Sequence, residues 1–187
     1  MNFPVGRNEA ERLQTLHDLH ILDTDADSGF EDLTALAQAL FDVPMVAVSL
    51  VDRERQWFKS HRGVTACETS RDVAFCNYTI LEDALFEVED AAAHPDFRDN
   101  PLVTGEPLIR YYCGAPIKVR GFRLGAFCII DIKPRPALEP AFRGHLQRFA
   151  NLAASRIQMQ RLIKESAGEL LKLTVIQGMG AAPFRSG

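Results

Sequence analysis

The chain is poor in cysteine, in excess positive charge and in long apolar runs, and each shortage excludes a class of protein. Its four cysteines, Cys67, Cys76, Cys113 and Cys128, include no C-x-x-C pair, so they read as reduced thiols rather than a disulfide framework. No H-x-x-x-H or H-E-x-x-H spacing occurs, which leaves no local metal signature and predicts no cofactor. Lys and Arg number 21 against 25 Asp and Glu, for a net charge of −4. A nucleic-acid binder would gather a basic excess on one face, so that partner is not expected. No apolar run approaches the roughly 18 residues that span a bilayer. The opening MNFPVGRNEAERL has no apolar stretch of the kind an export signal needs. The expectation is a cytoplasmic protein with neither a nucleic-acid nor a membrane partner.

The 187 residues, 47 % hydrophobic and 25 % charged, suffice for one self-sufficient core with a short appendage. After a frayed start, Asn8 and Glu11 have the spacing of a capping box, and Leu13, Leu16 and His20 continue a helix. Ser28 is placed to cap a second helix whose apolar face carries Phe30, Leu33, Leu36, Ala37, Leu40 and Phe41. The run MVAVSLVD, Met45 to Asp52, is apolar almost throughout and reads as a central strand. DRER then turns it into a returning strand at Gln56 to Arg62. Val73 to Leu81 is expected to form a short helix and Leu85 to Asp90 a strand, followed by a long Pro- and Asp-rich loop. Tyr111 to Val119 and Arg123 to Asp131 form the clearest hairpin, turning at Gly121. From Glu139 to Gln177 one helix runs nearly unbroken. Hairpin-joined strands with helices at both chain ends predict an α+β fold around an antiparallel sheet. A doubly wound nucleotide fold is not expected, because strands and helices do not alternate and no Gly-rich phosphate loop is present. The expected divisions are a disordered N-terminus at 1–7, a domain at 8–154, an extended C-terminal helix at 155–177 and a disordered tail at 178–187.

Two features bear on function before any resemblance is invoked. On the last helix, Leu152, Met159, Ile163, Leu170 and Leu173 recur at about 3.5-residue spacing, the seam of a parallel two-helix contact. One reading is a helix lying along its own domain; the other is a helix that pairs with a second copy. The densest polar–aromatic runs are RQWFKSHRG and IRYYCGAP. Trp57, Phe58, Tyr111 and Tyr112 with Arg110 either wall a pocket with an anion-binding corner or are core aromatics beside a solvated arginine. Cys113 and Cys128 lie in strands and read as small buried hydrophobes, while Cys76 is open to either a ligand-facing or a core role.

The runs SLVDRERQWFKSHRG, ETSRDVAFCNYTI, DNPLVTGEPLIRYYCGAPI and RLGAFCIIDIKPR together resemble GAF domains, in the subgroup found at the N-termini of bacterial histidine kinases and diguanylate cyclases. The resemblance extends from about Glu9 to Arg135. It implies a GAF/PAS-like antiparallel sheet, with N- and C-terminal helices on one face and a ligand cleft on the other. It further implies a regulatory sensory module of bacterial signal transduction, as in two-component systems. Such a module is a homodimer rather than an enzyme, takes a small molecule in its cleft, and signals through its C-terminal helix to a kinase or cyclase effector. Carried over by position, the cleft would be lined by Trp57, Phe75, Cys76, Tyr78, Arg110, Tyr111 and Cys113. Where the subgroup commonly reads FCAHAI, this chain reads FCNYTI, so Asn77 and Tyr78 replace Ala and His. The N-K-x-D-E pattern of cyclic-nucleotide-binding relatives is missing, and Cys76 lacks the following His of many bilin-attaching relatives. Two other functions compete. A free methionine-(R)-sulfoxide reductase would use cysteine thiols: Cys67 and Cys76 have the spacing of its first two, but Cys113, 37 positions after Cys76 and in a strand, does not match its third. A ligand-free dimerisation module would have a filled, inert cleft.

Overall fold

Residue parity along the strands writes two apolar faces into the sheet, and the protein covers both. A computed structural model describes the backbone of residues 3–179 and the side chains through residue 169. The elements run α1 (Glu9–Asp18), α2 (Ser28–Phe41), β1 (Met45–Val51), β2 (Arg55–Arg62), β3 (Glu68–Ser70), α3 (Cys76–Thr79), β4 (Phe86–Val88), α4 (Pro101–Thr104), β5 (Tyr111–Val119), β6 (Phe122–Asp131) and α5 (Pro140–Met179). The described strands form one antiparallel sheet in the order β3-β2-β1-β6-β5-β4. The α+β architecture expected from the hairpins is what forms.

On one face, Val46, Val48 and Leu50 of β1 and Tyr111, Cys113, Ala115 and Ile117 of β5 meet α2 and α5. Leu146, Ala150, Ala153 and Ile157 give α5 a fully buried stripe at helical spacing. On the other face, Met45 and Ala47 of β1, Tyr112 of β5 and Ala126, Cys128 and Ile130 of β6 pack under α3 and the long loop between β4 and β5. The strands are buried on both sides, which is why MVAVSLV carries almost no polar residue.

Several local expectations are corrected. Asn8 does precede α1 but makes no side-chain cap. Glu9, not Glu11, has the structural role, pairing with Arg12 at 2.7 Å and Arg71 at 2.6 Å. Asp27 rather than Ser28 caps α2, accepting from the backbone N–H groups of Gly29 and Phe30. Between β2 and the short helix the chain adds β3, and the long loop contains α4. At the N-terminus the Phe3 ring lies 4.6 Å from the Arg71 guanidinium, and the Pro4 carbonyl accepts from Asn77 at 3.0 Å. Residues 1–2, and 180–187 of the expected tail, lie outside the described residues.

Asp27 also binds α5, accepting from Arg156 Nε at 2.5 Å and Gln160 Nε2 at 2.7 Å. Burial pushes its carboxyl up, but these donors and the Phe30 amide outweigh burial and hold it below the usual range. Asp27→Ala is expected to cost about 1–2 kcal/mol in urea unfolding, the size of a lost helix cap. The depressed carboxyl stabilises the fold above its unfolded value, and that contribution fades as pH drops through the folded value. The wild-type advantage should therefore shrink on acidification and persist at neutral pH.

Candidate functional site

The face opposite α5 holds a cavity of about 370 Å³. Met45 and Ile130 come from the sheet, Phe58 from β2, Phe75 from the turn entering α3, Ile109 from the long loop and Tyr112 from β5. Phe75 stacks on Phe97 at 4.1 Å between ring centroids and lies 5.3 Å from Tyr112. The aromatic wall is thus fixed by its own packing, not left to close around a guest. Gly114 makes room beneath it: a Cβ there would sit 2.3 Å from the Tyr112 hydroxyl and 2.7 Å from Thr79 Oγ1. That space lets Tyr112 Oη and Thr79 Oγ1 hydrogen-bond at 2.7 Å while Tyr112 donates to Cys76 Sγ at 3.2 Å.

Two buried thiols border the same cavity. Cys76 and Cys128 Sγ lie 3.8 Å apart. Burial pushes the Cys76 thiol up, but its hydrogen bonds with Cys128, Ser49 and Tyr112 outweigh burial and hold the group below its ordinary value. Cys128 is driven well up by Cys76 and by burial. Cys113, on the helix face, is pushed up to about 12 by burial and by nearby Glu87. Iodoacetamide near neutral pH should modify exposed Cys67 first, then Cys76, which borders the cavity, ahead of Cys113, which is buried on the helix side of the sheet. Mass spectrometry of the digested protein reads the order, and Cys113 reacting ahead of Cys76 would contradict this electrostatic picture.

The seven residues placed around one cleft by sequence are divided by the structure. Phe75 and Cys76 border the cavity. Trp57, Tyr111 and Cys113 belong to the opposite, helix-side core. The physical reason is the pleat. Phe58 takes the cavity side of β2 and Tyr112 that side of β5, so their neighbours must point the other way. Trp57 lies beside Lys59, whose ammonium is 6.0 Å from its ring, and Tyr111 donates to Glu87 at 2.8 Å. Arg110 spends Nη1 on the carbonyls of Val103, Leu108 and Ile109 at 2.9–3.2 Å, tying down the long loop rather than forming an anion corner. Tyr78 packs behind the wall, 4.7 Å from Phe97 and 5.6 Å from Phe86. Beside it Asn77 is fully buried and structural, accepting from Arg71 at 2.8 Å.

Sequence reading missed Cys128, Gln56 and Thr69. Gln56 and Thr69 face each other across β2 and β3 and border the cavity. Gln56 is 5 % exposed, yet its Oε1 has no hydrogen-bond partner among the described residues, and neither has Thr69 Oγ1. A polar residue at a cavity-facing position of a buried strand is the signal that would have found Gln56. No group of three His, Cys, Asp or Glu side chains among the described residues comes together to hold a metal.

The GAF domain profile matches residues 25–157. The chain belongs to the GAF domain family. The GAF domain here is 40 % identical over 159 residues to a cyclic di-GMP phosphodiesterase of Pseudomonas aeruginosa, covering 84 % of this chain but 27 % of that protein. The chain thus spans about a quarter of the relative it matches. Among solved structures, the GAF domain of an Acinetobacter phosphoenolpyruvate-protein phosphotransferase superposes with a TM-score of 0.60 at 14 % identity, covering 83 % of this chain and 98 % of that one. The free methionine-R-sulfoxide reductase of Neisseria meningitidis, solved with its substrate, gives 0.61 at 17 % identity, covering 87 % and 99 %. At these identities the two structures speak for the fold alone. GAF domains are typically regulatory sensory modules, and this one is α+β like its neighbours. No helix among the described residues is long and apolar enough to cross a membrane.

Proposed function

We propose that this GAF domain is a non-catalytic, cytoplasmic sensor that takes a small molecule into the cavity and passes the effect through α5. The observation that carries this reading is the sandwich of cavity, sheet and helix. A largely apolar hollow, with a volume in the range of small-molecule sites, lies on one face of the strands whose other face carries α5. The test is a thermal-shift screen of the protein against a metabolite library. Binding to the native state alone raises the melting temperature by mass action. A hit lost on filling the cavity with Ala66→Trp supports the reading, and a library without hits favours an inert dimerisation module.

The output would be a homodimer seam acting on a kinase or cyclase effector. Leu152, Met159 and Ile163 leave more than half of their surface exposed on α5. The side chains of Leu170 and Leu173, which continue the stripe, lie outside the described residues. The wild type is expected to sediment as a dimer at micromolar concentration and Ile163→Asp as a monomer; a monomeric wild type would overturn the seam.

The reductase reading is weakened, because Cys113 stands across the sheet from Cys76 and Cys67 is exposed. The specific observation in its favour is the approach of Cys128 to Cys76. Thioredoxin-linked reduction of free methionine sulfoxide should be absent; turnover abolished by Cys76→Ser would reinstate it.

A further inference from the structure

We propose that the cavity selects a neutral, mostly apolar ring compound that presents an N–H or O–H donor to the Gln56 amide. The inference rests on the reading of the cavity as a ligand site and adds the chemical class of its occupant. Three observations converge on it. First, no Lys, Arg or His is among the residues that border the cavity, and its one charged neighbour is the carboxylate of Glu106. An anion entering there would lose its water and gain no counter-charge, a cost far above that of burying a neutral group.

Second, Arg55, Arg62 and Arg110 each adjoin a cavity-bordering residue in sequence, yet none is among the residues that border it. Arg55 pairs with Asp23 and Glu68, and Arg110 turns Nη1 to the carbonyls of Val103, Leu108 and Ile109. Third, Gln56 and Thr69, directly paired residues at the β2–β3 end, both border the cavity, and Gln56 Oε1 and Thr69 Oγ1 are buried with no hydrogen-bond partner among the described residues. A buried carbonyl oxygen left unpaired is destabilising, so it is retained at a cost that a donor from a bound molecule removes. The Thr69 hydroxyl, able both to give and to accept, suits an acceptor next to that donor. The walls supply the rest of the match: Phe58, Phe75 and Tyr112 offer ring faces and edges, and Met45 and Ile130 offer aliphatic contact.

A planar lactam fits this description, with its N–H toward Gln56 and its C=O toward Thr69. The probe is therefore 2-quinolone, compared with N-methyl-2-quinolone, which lacks the donor, and with quinoline-2-carboxylate, which is anionic. Titration calorimetry on the full chain should show 2-quinolone binding roughly tenfold or more tightly than the N-methyl compound, and the carboxylate not binding. Gln56→Leu should erase the preference between the two neutral probes. In the absence of ligand, Gln56→Leu and Thr69→Val should melt at the same temperature as the wild type or higher, because an orphaned polar atom is replaced by an apolar one of similar shape. A structural role for either side chain would lower it.

Equal affinity for the two neutral probes, tighter binding of the carboxylate, or no binding of any probe overturns the proposal. These failures are separable from failure of the ligand-site reading. If no quinoline binds but a library compound raises the melting temperature and loses that effect in Ala66→Trp, only the ligand class is wrong. If neither occurs, both fall.

Discussion

Arg71→Met should lower the unfolding free energy by about 3 kcal/mol or more, the cost of removing one partner from a buried ionic cluster. Arg71 is 2 % exposed, with Nε and Nη1 committed and Nη2 without a partner among the described residues. Nη1 reaches Glu9 at 2.6 Å and the Asp52 carbonyl at 3.0 Å, Nε reaches Asn77 Oδ1 at 2.8 Å, and the Phe3 ring covers its face. Methionine fills similar space but leaves Glu9 with Arg12 alone and strands Asn77 Oδ1. The loss should appear as a shifted urea midpoint with an unchanged slope.

Its pH dependence follows from Glu9. Burial pushes that carboxyl up, but the hydrogen bonds and charges of Arg12 and Arg71 outweigh burial and hold it below its ordinary 4.5. A depressed carboxyl stabilises the fold fully above its unfolded value and loses that contribution as pH falls through the folded one. Wild type and variant should therefore differ most at neutral pH and converge in acid below pH 4.5. A loss under about 1 kcal/mol, typical of an exposed pair, would mean that the cluster is solvated.

The second large effect is expected at Gly125. Its backbone passes so close to β1 that an added Cβ would stand 1.9 Å from the Ser49 carbonyl oxygen and 2.8 Å from Leu50 Cα. Both obstacles are main-chain atoms of a central strand held on each side, by β2 and by β6 itself. Neither can turn aside as a flexible side chain would. The β1–β2 ladder also shifts register between Val48 and Ser49, at the same crowded point. Gly125→Ala should cost about 3 kcal/mol, at or beyond the upper end of ordinary overpacking, and should cut the yield of folded protein. Gly144→Ala is the control. Nothing lies within 4 Å of a Cβ there, and a helix interior gains about 0.5–1 kcal/mol from alanine. Equal effects at the two glycines would sink the argument from close approach.

Much of the fold was legible in the sequence because strands, hairpins and the long helix advertise themselves through apolar period and turn residues. The site was legible only in part. Phe75 and Cys76 sit on a short element near the cavity, and motif position suffices to bring them close. Tyr111 and Tyr112 are adjacent, equally aromatic and equally buried, so composition cannot tell which one faces the hollow. Only the strand's parity against its neighbours decides, and a strand buried on both faces conceals that parity by being apolar throughout. Gln56 escaped notice for a related reason: its meaning lies in the partner it does not have, which appears only when the chain is folded. The paired thiols Cys76 and Cys128 stand far apart in sequence and meet through the contact of α3 with β6.

The pleat of β5 has a consequence for how such a protein diverges. Tyr112 and Gly114 answer to the hollow, while Tyr111, Cys113 and Ala115 answer to α5. Odd and even positions of one strand can therefore be changed separately: a substitution at Tyr112 alters the cavity wall, and one at Cys113 or Ala115 alters the packing under α5, though only one strand's thickness divides them.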